Sequence, residues 1–180
     1  MSADAATVSA LESAERSPET ARTRVVAWQD PVPVAEAGAA MPGLDYMRAI
    51  ASGELPPPPI AVLLNMGPVE LEAGRAVFEG KPGEEHYNPI GVVHGGYAAT
   101  LLDSALGCAV HTTLPAGVGY TTLSLEVKFV RPATREIERV RAAAEVVHRG
   151  RRQATAQARL TDAETGKLLA HATATCLIIA

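Results

Sequence analysis

Two groups that could do chemistry together lie nine residues apart: His94, ahead of the pair Gly95-Gly96, and Asp103, a carboxylate in an otherwise apolar run. Residues 94–110 read as one long helix that opens on its glycines instead of ending on them. Glycine is poor inside a helix but lets backbone come close to a ligand. The first turn of a helix presents unpaired N–H groups and partial positive charge. Such a mouth can polarise a carbonyl and hold the anion that develops on it, each amide donor contributing ~3 kcal/mol. Asp103 is then the group that drives attack on that carbonyl, as base or nucleophile.

The spacing limits how the two can cooperate. At a rise of ~1.5 Å per residue, His94 and Asp103 stand about 13 Å apart on one helix, too far to share a reacting atom within one chain. If both act, one subunit's helix mouth meets the middle of its partner's helix, and a two-fold dimer carries two such sites. Each residue also has a local alternative. His94 can serve as an N-cap or hydrogen-bond a loop carbonyl. Asp103 can face solvent, although a lone carboxylate after Leu101-Leu102 is costly unless paired or functional. Asn88 can simply form an Asx turn before Pro89, and Thr122 falls on the polar side of its strand, where β-propensity alone accounts for it.

The elements that must position these residues follow from periodicity. Leu44, Met47 and Ile50-Ala51 mark a short helix stopped by Gly53. Pro56 to Pro59 make a stiff step, and residues 60–64 one more helical turn. Residues 69–71 and 75–79 are short strands, and 84–93 a loop carrying His86, Asn88 and Pro89. Beyond the helix, Leu123, Leu125, Val127 and Phe129 alternate with Thr122, Ser124, Glu126 and Lys128. Alternation continues through residues 140–146, 154–160 and 168–178, with alanine on most inner positions and turns at Arg149-Gly150-Arg151 and residues 162–166. Period-two patterning between turns means an antiparallel sheet with one buried face. A small-residue helix followed by alanine-faced strands predicts an α+β chain in which a curved antiparallel sheet wraps a long central helix, the hotdog architecture.

Residues 1–42 differ: Ser, Thr, Ala, Glu and Pro dominate, and the one β-like run is 23–28. They are expected to form a partly flexible N-terminal extension, with Trp28 anchoring it in an apolar groove, while residues 43–180 form the folded domain. A net charge of −4 offers no basic field for nucleic acid. No apolar run approaches ~20 residues and no signal pattern opens the chain, so no membrane association and a cytoplasmic location are expected. Cys108 and Cys176 fall in apolar periodic segments and read as small buried hydrophobes ahead of a disulfide or catalytic pair. His86, His111, His148 and His171 show no ligand spacing, so no metal is expected, and no Gly-x-Ser-x-Gly elbow occurs. Arg131, Arg135, Arg149, Arg151 and Arg152 cluster at strand ends and turns, where solubilising charge suffices for most and a phosphate-bearing substrate would recruit some.

The run from Asn88 through Val93 to His94-Gly95-Gly96, then Asp103, Thr121-Thr122, and residues 129–132, resembles the PaaI-type hotdog acyl-CoA thioesterases. The final hairpin, with residues 148–152 and Thr165-Gly166-Lys167, is also similar to that family, and the likeness runs from about Leu44 to Ile178. The resemblance implies hydrolysis of an acyl-CoA thioester to free acid and CoA, without cofactor or metal. It assigns the helix-mouth amide to Gly95 and the base or nucleophile to Asp103, contributed by the opposite subunit. Asn88 and His94 match the residues near the carbonyl and attacking water. Thr122 matches the residue that helps hold the water or carboxylate, with Thr121 its rival should the register slip by one. Gly96, Tyr97, Thr121, Arg131, Arg149 and Arg151 are the expected substrate contacts, and Tyr97, Leu101 and Tyr120 the expected acyl wall. A homodimer is required for the site, and tetramers are common among such proteins. Two alternatives stand beside this reading: a hotdog enoyl-CoA hydratase or dehydratase, and a non-catalytic acyl-CoA-binding module.

Overall fold

The alternating runs of the second half pair as their periodicity predicts. The computed structural model describes residues 21–179. In chain order these form α1 (Pro31–Ala39), α2 (Gly43–Ser52), α3 (Pro59–Leu63), β1 (Met66–Glu72), β2 (Arg75–Gly80), a 3-10 turn (Glu84–His86), α4 (Gly95–His111), β3 (Gly119–Phe129), β4 (Val140–Arg149), β5 (Gln153–Asp162) and β6 (Leu168–Ile179). The strands make one antiparallel sheet in the order β1-β2-β4-β5-β6-β3.

The sheet wraps α4 as expected. Ala142, Ala144, Ala154, Ala156, Ala158, Ala170, Ala172 and Ala174 are all buried on its inner face, facing Leu101, Leu102, Ala105, Leu106, Ala109 and Val110 of the helix. Alanine on the sheet lets a helix approach closely without leaving voids, which is how a chain poor in aromatics still closes a core. Gly107 shows how close the approach is, since a Cβ there would lie 2.6 Å from the Tyr120 hydroxyl.

Three features depart from the sequence reading. Residues 23–28 form no strand, and Trp28 is 59% exposed instead of lying in a groove. The anchor is Arg24, whose guanidinium fork donates to the Val62 and Leu63 carbonyls at the end of α3 and to Glu85. A planar donor pair fits two neighbouring helix-end carbonyls better than a lone indole fits a shallow surface. The extension also contains α1, capped by the Asp30 carboxylate accepting from Val32 N–H at 3.0 Å. The flexibility expected of residues 1–20 lies outside the described residues. Finally, β3 does not alternate throughout. A bulge between Thr122 and Ser124 leaves Leu123 53% exposed and places Tyr120, Thr122, Leu125 and Val127 on the inner side. Phe129, expected inside, is also exposed.

Candidate active site

The mouth of α4 is built by its cap. His94 has extended backbone, and its Nδ1 accepts the Gly96 N–H at 2.8 Å. The Tyr97 N–H turns back to the His94 carbonyl, and the His94 N–H donates to His86 O. The first amides of a helix have no intrahelical acceptor, and with Gly96 and Tyr97 engaged, the Gly95 N–H is the donor left at the mouth. It opens on a cavity of about 360 Å³ bounded by Asn88, Phe129, Arg131 and Ala133. A Cβ on Gly95 would lie 3.2 Å from the Phe129 ring, so glycine keeps this approach clear. The Asn88 side chain accepts from Ile90 and Val92 N–H, forming the Asx turn that its position before Pro89 suggested. Its carbonyl end therefore shapes the loop, and only its amide end remains to donate.

Asp103 sits elsewhere. It lines a second cavity, of about 440 Å³, between α4, β3, α2 and the proline step before α3. Thr122 Oγ1 donates to Asp103 Oδ1 at 3.0 Å. Among the described residues, none lines both cavities. The helix thus carries a carbonyl-polarising mouth and a carboxylate that do not face the same space within one chain. Asp103, Ser104, Cys108 and His111 form the partly open stripe of a helix whose other faces are sealed by the sheet. Burial pushes the Cys108 thiol up to about 12, so it stays protonated and is no thiolate nucleophile. Both cysteines are free.

The thioesterase superfamily profile matches residues 90–169. Human acyl-coenzyme A thioesterase 13 is 33% identical over 103 residues, which cover 57% of this chain and 72% of the relative. The chain belongs to the PaaI-type hotdog thioesterases. Among solved structures, a phenylacetic acid degradation-related protein of Ralstonia eutropha JMP134 is 32% identical with a TM-score of 0.67, over 73% of this chain and 98% of that one. The PaaI protein of E. coli, at 20% identity, shares the fold with a TM-score of 0.66 over 78% of this chain and 96% of its own.

Several expected contacts of this thioesterase are placed differently. The Gly96 amide is used by the His94 cap, so it does not serve as a second substrate donor. Tyr97 is 4% exposed and packs into the core against the His86 ring, 4.8 Å away, instead of lining either cavity. Leu101 is likewise sealed in the core, which leaves Tyr120 as the one expected wall residue beside Asp103. Thr121 is exposed on the face opposite Thr122. Arg131 borders the Gly95 cavity, donating to Leu168 O at 2.9 Å. Arg149 and Arg151 are exposed at the β4–β5 turn, beside Ile178, whereas the mouth lies near Leu169. Nine residues of β6 at ~3.4 Å each separate those ends by about 30 Å, so they cannot share one phosphate with Arg131 of the same chain.

The sequence reading missed Tyr46, Ser104, Cys108 and His111 beside Asp103. The helical spacing 104, 108, 111 on one face of α4 was the available signal, since these are its partly polar positions. Tyr46 had none, because only the docking of α2 brings it there.

Proposed function

We propose that this thioesterase hydrolyses acyl-CoA to free acid and CoA, at a site built from two subunits. The Gly95 N–H of one chain polarises the thioester carbonyl, and Asp103 of the partner subunit activates a water or attacks directly. In the water route, Asp103 takes the proton as the water oxygen bonds to the carbonyl carbon. The carbonyl electron pair moves to oxygen and is held by Gly95 N–H. Collapse of the tetrahedral intermediate breaks the C–S bond and releases CoA thiolate, a leaving group good enough to need no strong general acid. Thr122 occupies Asp103 Oδ1, which leaves Oδ2 to meet the water. His94 holds the mouth in shape, and Asn88 holds the loop that approaches it.

The observation that carries this reading is the separation of Gly95 and Asp103 into different cavities on one helix. Relatives named as acyl-coenzyme A thioesterases support the substrate class. The sheet edges support the dimer. β1 is short and blunted by Pro68 and a register shift, while β3 offers eleven residues of open edge with Leu123 and Phe129 exposed beside it. A long open edge that exposes apolar side chains between its polar ones is a template for pairing with a second copy. We place the extension at residues 1–42 and the catalytic domain from residue 43 onward. Asp103→Asn should abolish most thiol release from an acyl-CoA panel while leaving fold and association unchanged. Undiminished hydrolysis would remove Asp103 from the mechanism.

A further inference from the structure

The cavity beside Asp103 ends on a group of aromatic rings drawn from three separate elements. Its helix wall runs from Asp103 through Ser104 and Cys108 to His111, eight residues and so about 12 Å of helix. Opposite stand apolar side chains of α2, the proline step and β1, including Met47, Ile50 and Met66. At the end lies a stack of three rings. The Tyr46 and His111 centroids are 5.6 Å apart and those of His111 and Tyr120 5.4 Å apart, all tilted.

This floor is fixed from behind. Gly43 packs directly on the His111 carbonyl, where any Cβ would overlap it, and donates its N–H to Leu114 O at 3.0 Å. Gly38 of α1 lies against the Tyr46 ring, with a Cβ there only 2.6 Å from it. Ala39 O accepts from Gly117 N–H at 2.9 Å, tying α1 to the loop after α4. The helix inside the N-terminal extension therefore backs the floor through Tyr46.

We infer that this cavity is the acyl subsite, and that Tyr46, His111 and Tyr120 form a floor that limits the length of the straight-chain acyl group accepted. This rests on the thioesterase reading above. A thioester carbonyl held beside Asp103 sends its acyl group along the helix toward His111, and its CoA arm toward solvent. Each methylene that still fits the apolar wall strengthens binding about fourfold. The first that meets the rings has no room, because the packing behind them is filled.

The test is a series of straight-chain acyl-CoAs, acetyl to palmitoyl, assayed for thiol release on the full chain. Binding of the matching S-alkyl-CoA thioethers, which cannot be hydrolysed, is measured in parallel by calorimetry. The wild type should gain about fourfold per methylene and then fall sharply at one length. Tyr46→Ala should move that break to longer chains. Cys108→Met, which fills the middle of the cavity from another element, should move it to shorter ones. Absence of any break through palmitoyl, or a break unmoved in the folded variants, overturns the subsite. Thioether binding with a movable break but no thiol release would keep the subsite and remove the thioesterase reading. Neither release nor chain-length-dependent binding removes both.

Discussion

Thr122 Oγ1 donates to Asp103 Oδ1 at 3.0 Å, and a single extra residue in β3 turns the threonine toward the helix. Without the bulge at Leu123, the inward phase set by Leu125 and Val127 would aim Thr122 at solvent. Bulges commonly re-aim one side chain next to an active site. Here it orients one oxygen of the proposed base and leaves the other open to the reacting water.

Removing that hydroxyl should therefore lower turnover more than it lowers stability. A hydrogen bond to a charged group contributes ~1.5–3 kcal/mol, so Thr122→Val should reduce kcat by roughly 10- to 100-fold if the full amount is lost in the transition state. Thr122→Ser should recover most of it. Steady-state kinetics on both variants checks this, and equal activity of Thr122→Val and wild type would remove the threonine from the site.

At the helix mouth, Gly95→Ala places a methyl 3.2 Å from the exposed Phe129 ring. That ring can yield, so thermal unfolding should be nearly unchanged. The methyl narrows the approach to the Gly95 amide, and kcat/KM should fall by about tenfold or more, as expected when an oxyanion donor is impaired. Gly95→Val should be worse in activity but still folded.

Gly43 is the opposite kind of glycine. A Cβ there would overlap the His111 carbonyl, so Gly43→Ala must push α2 away from the end of α4. Overpacking of this sort costs ~1–3 kcal/mol. The melting temperature should drop by several degrees, a larger fall than for any of the site variants above.

Burial holds the His111 imidazole below its ordinary pKa, favouring the neutral ring in the fold. Between the folded pKa and the unfolded value of ~6.5, the unfolded chain binds the extra proton. Stability therefore rises with pH through that window and is lost as pH falls below ~6.5. His111→Asn should flatten this part of the profile. Comparing melting temperatures of the two proteins at about pH 7.5 and pH 5.5 isolates the His111 contribution from the other groups that titrate there.

The fold was legible because its signals are local and repetitive. Alanine at alternate positions of residues 154–158 and again of 170–174 demands a buried sheet face, and the small residues of α4 demand something packed closely on it. The α1 helix carries a cap signal too, Asp30-Pro31 at its start, but the surrounding Ser, Thr and Ala composition obscured it. The turn of Thr122 toward Asp103 was not legible, since the bulge depends on pairing with Cys176 and Thr175 of β6. Nor was the ring stack, whose members stand at positions 46, 111 and 120 and meet only through tertiary docking. His94 and Asp103 were readable as chemistry, and the helical rise alone separated them into two half-sites.

The most direct measurement of that division is complementation between two inactive proteins. Asp103→Ala lacks the carboxylate and Gly95→Val lacks an open mouth, so each homodimer carries two broken sites. Co-expression or subunit exchange makes mixed dimers in which one site holds both lesions and the other holds neither. With random pairing, half the dimers are mixed and one of their two sites is intact, so activity should return to about a quarter of the wild-type value. Mixed dimers shown to form by differential tagging, yet with no activity above either parent, would contradict a site shared between subunits.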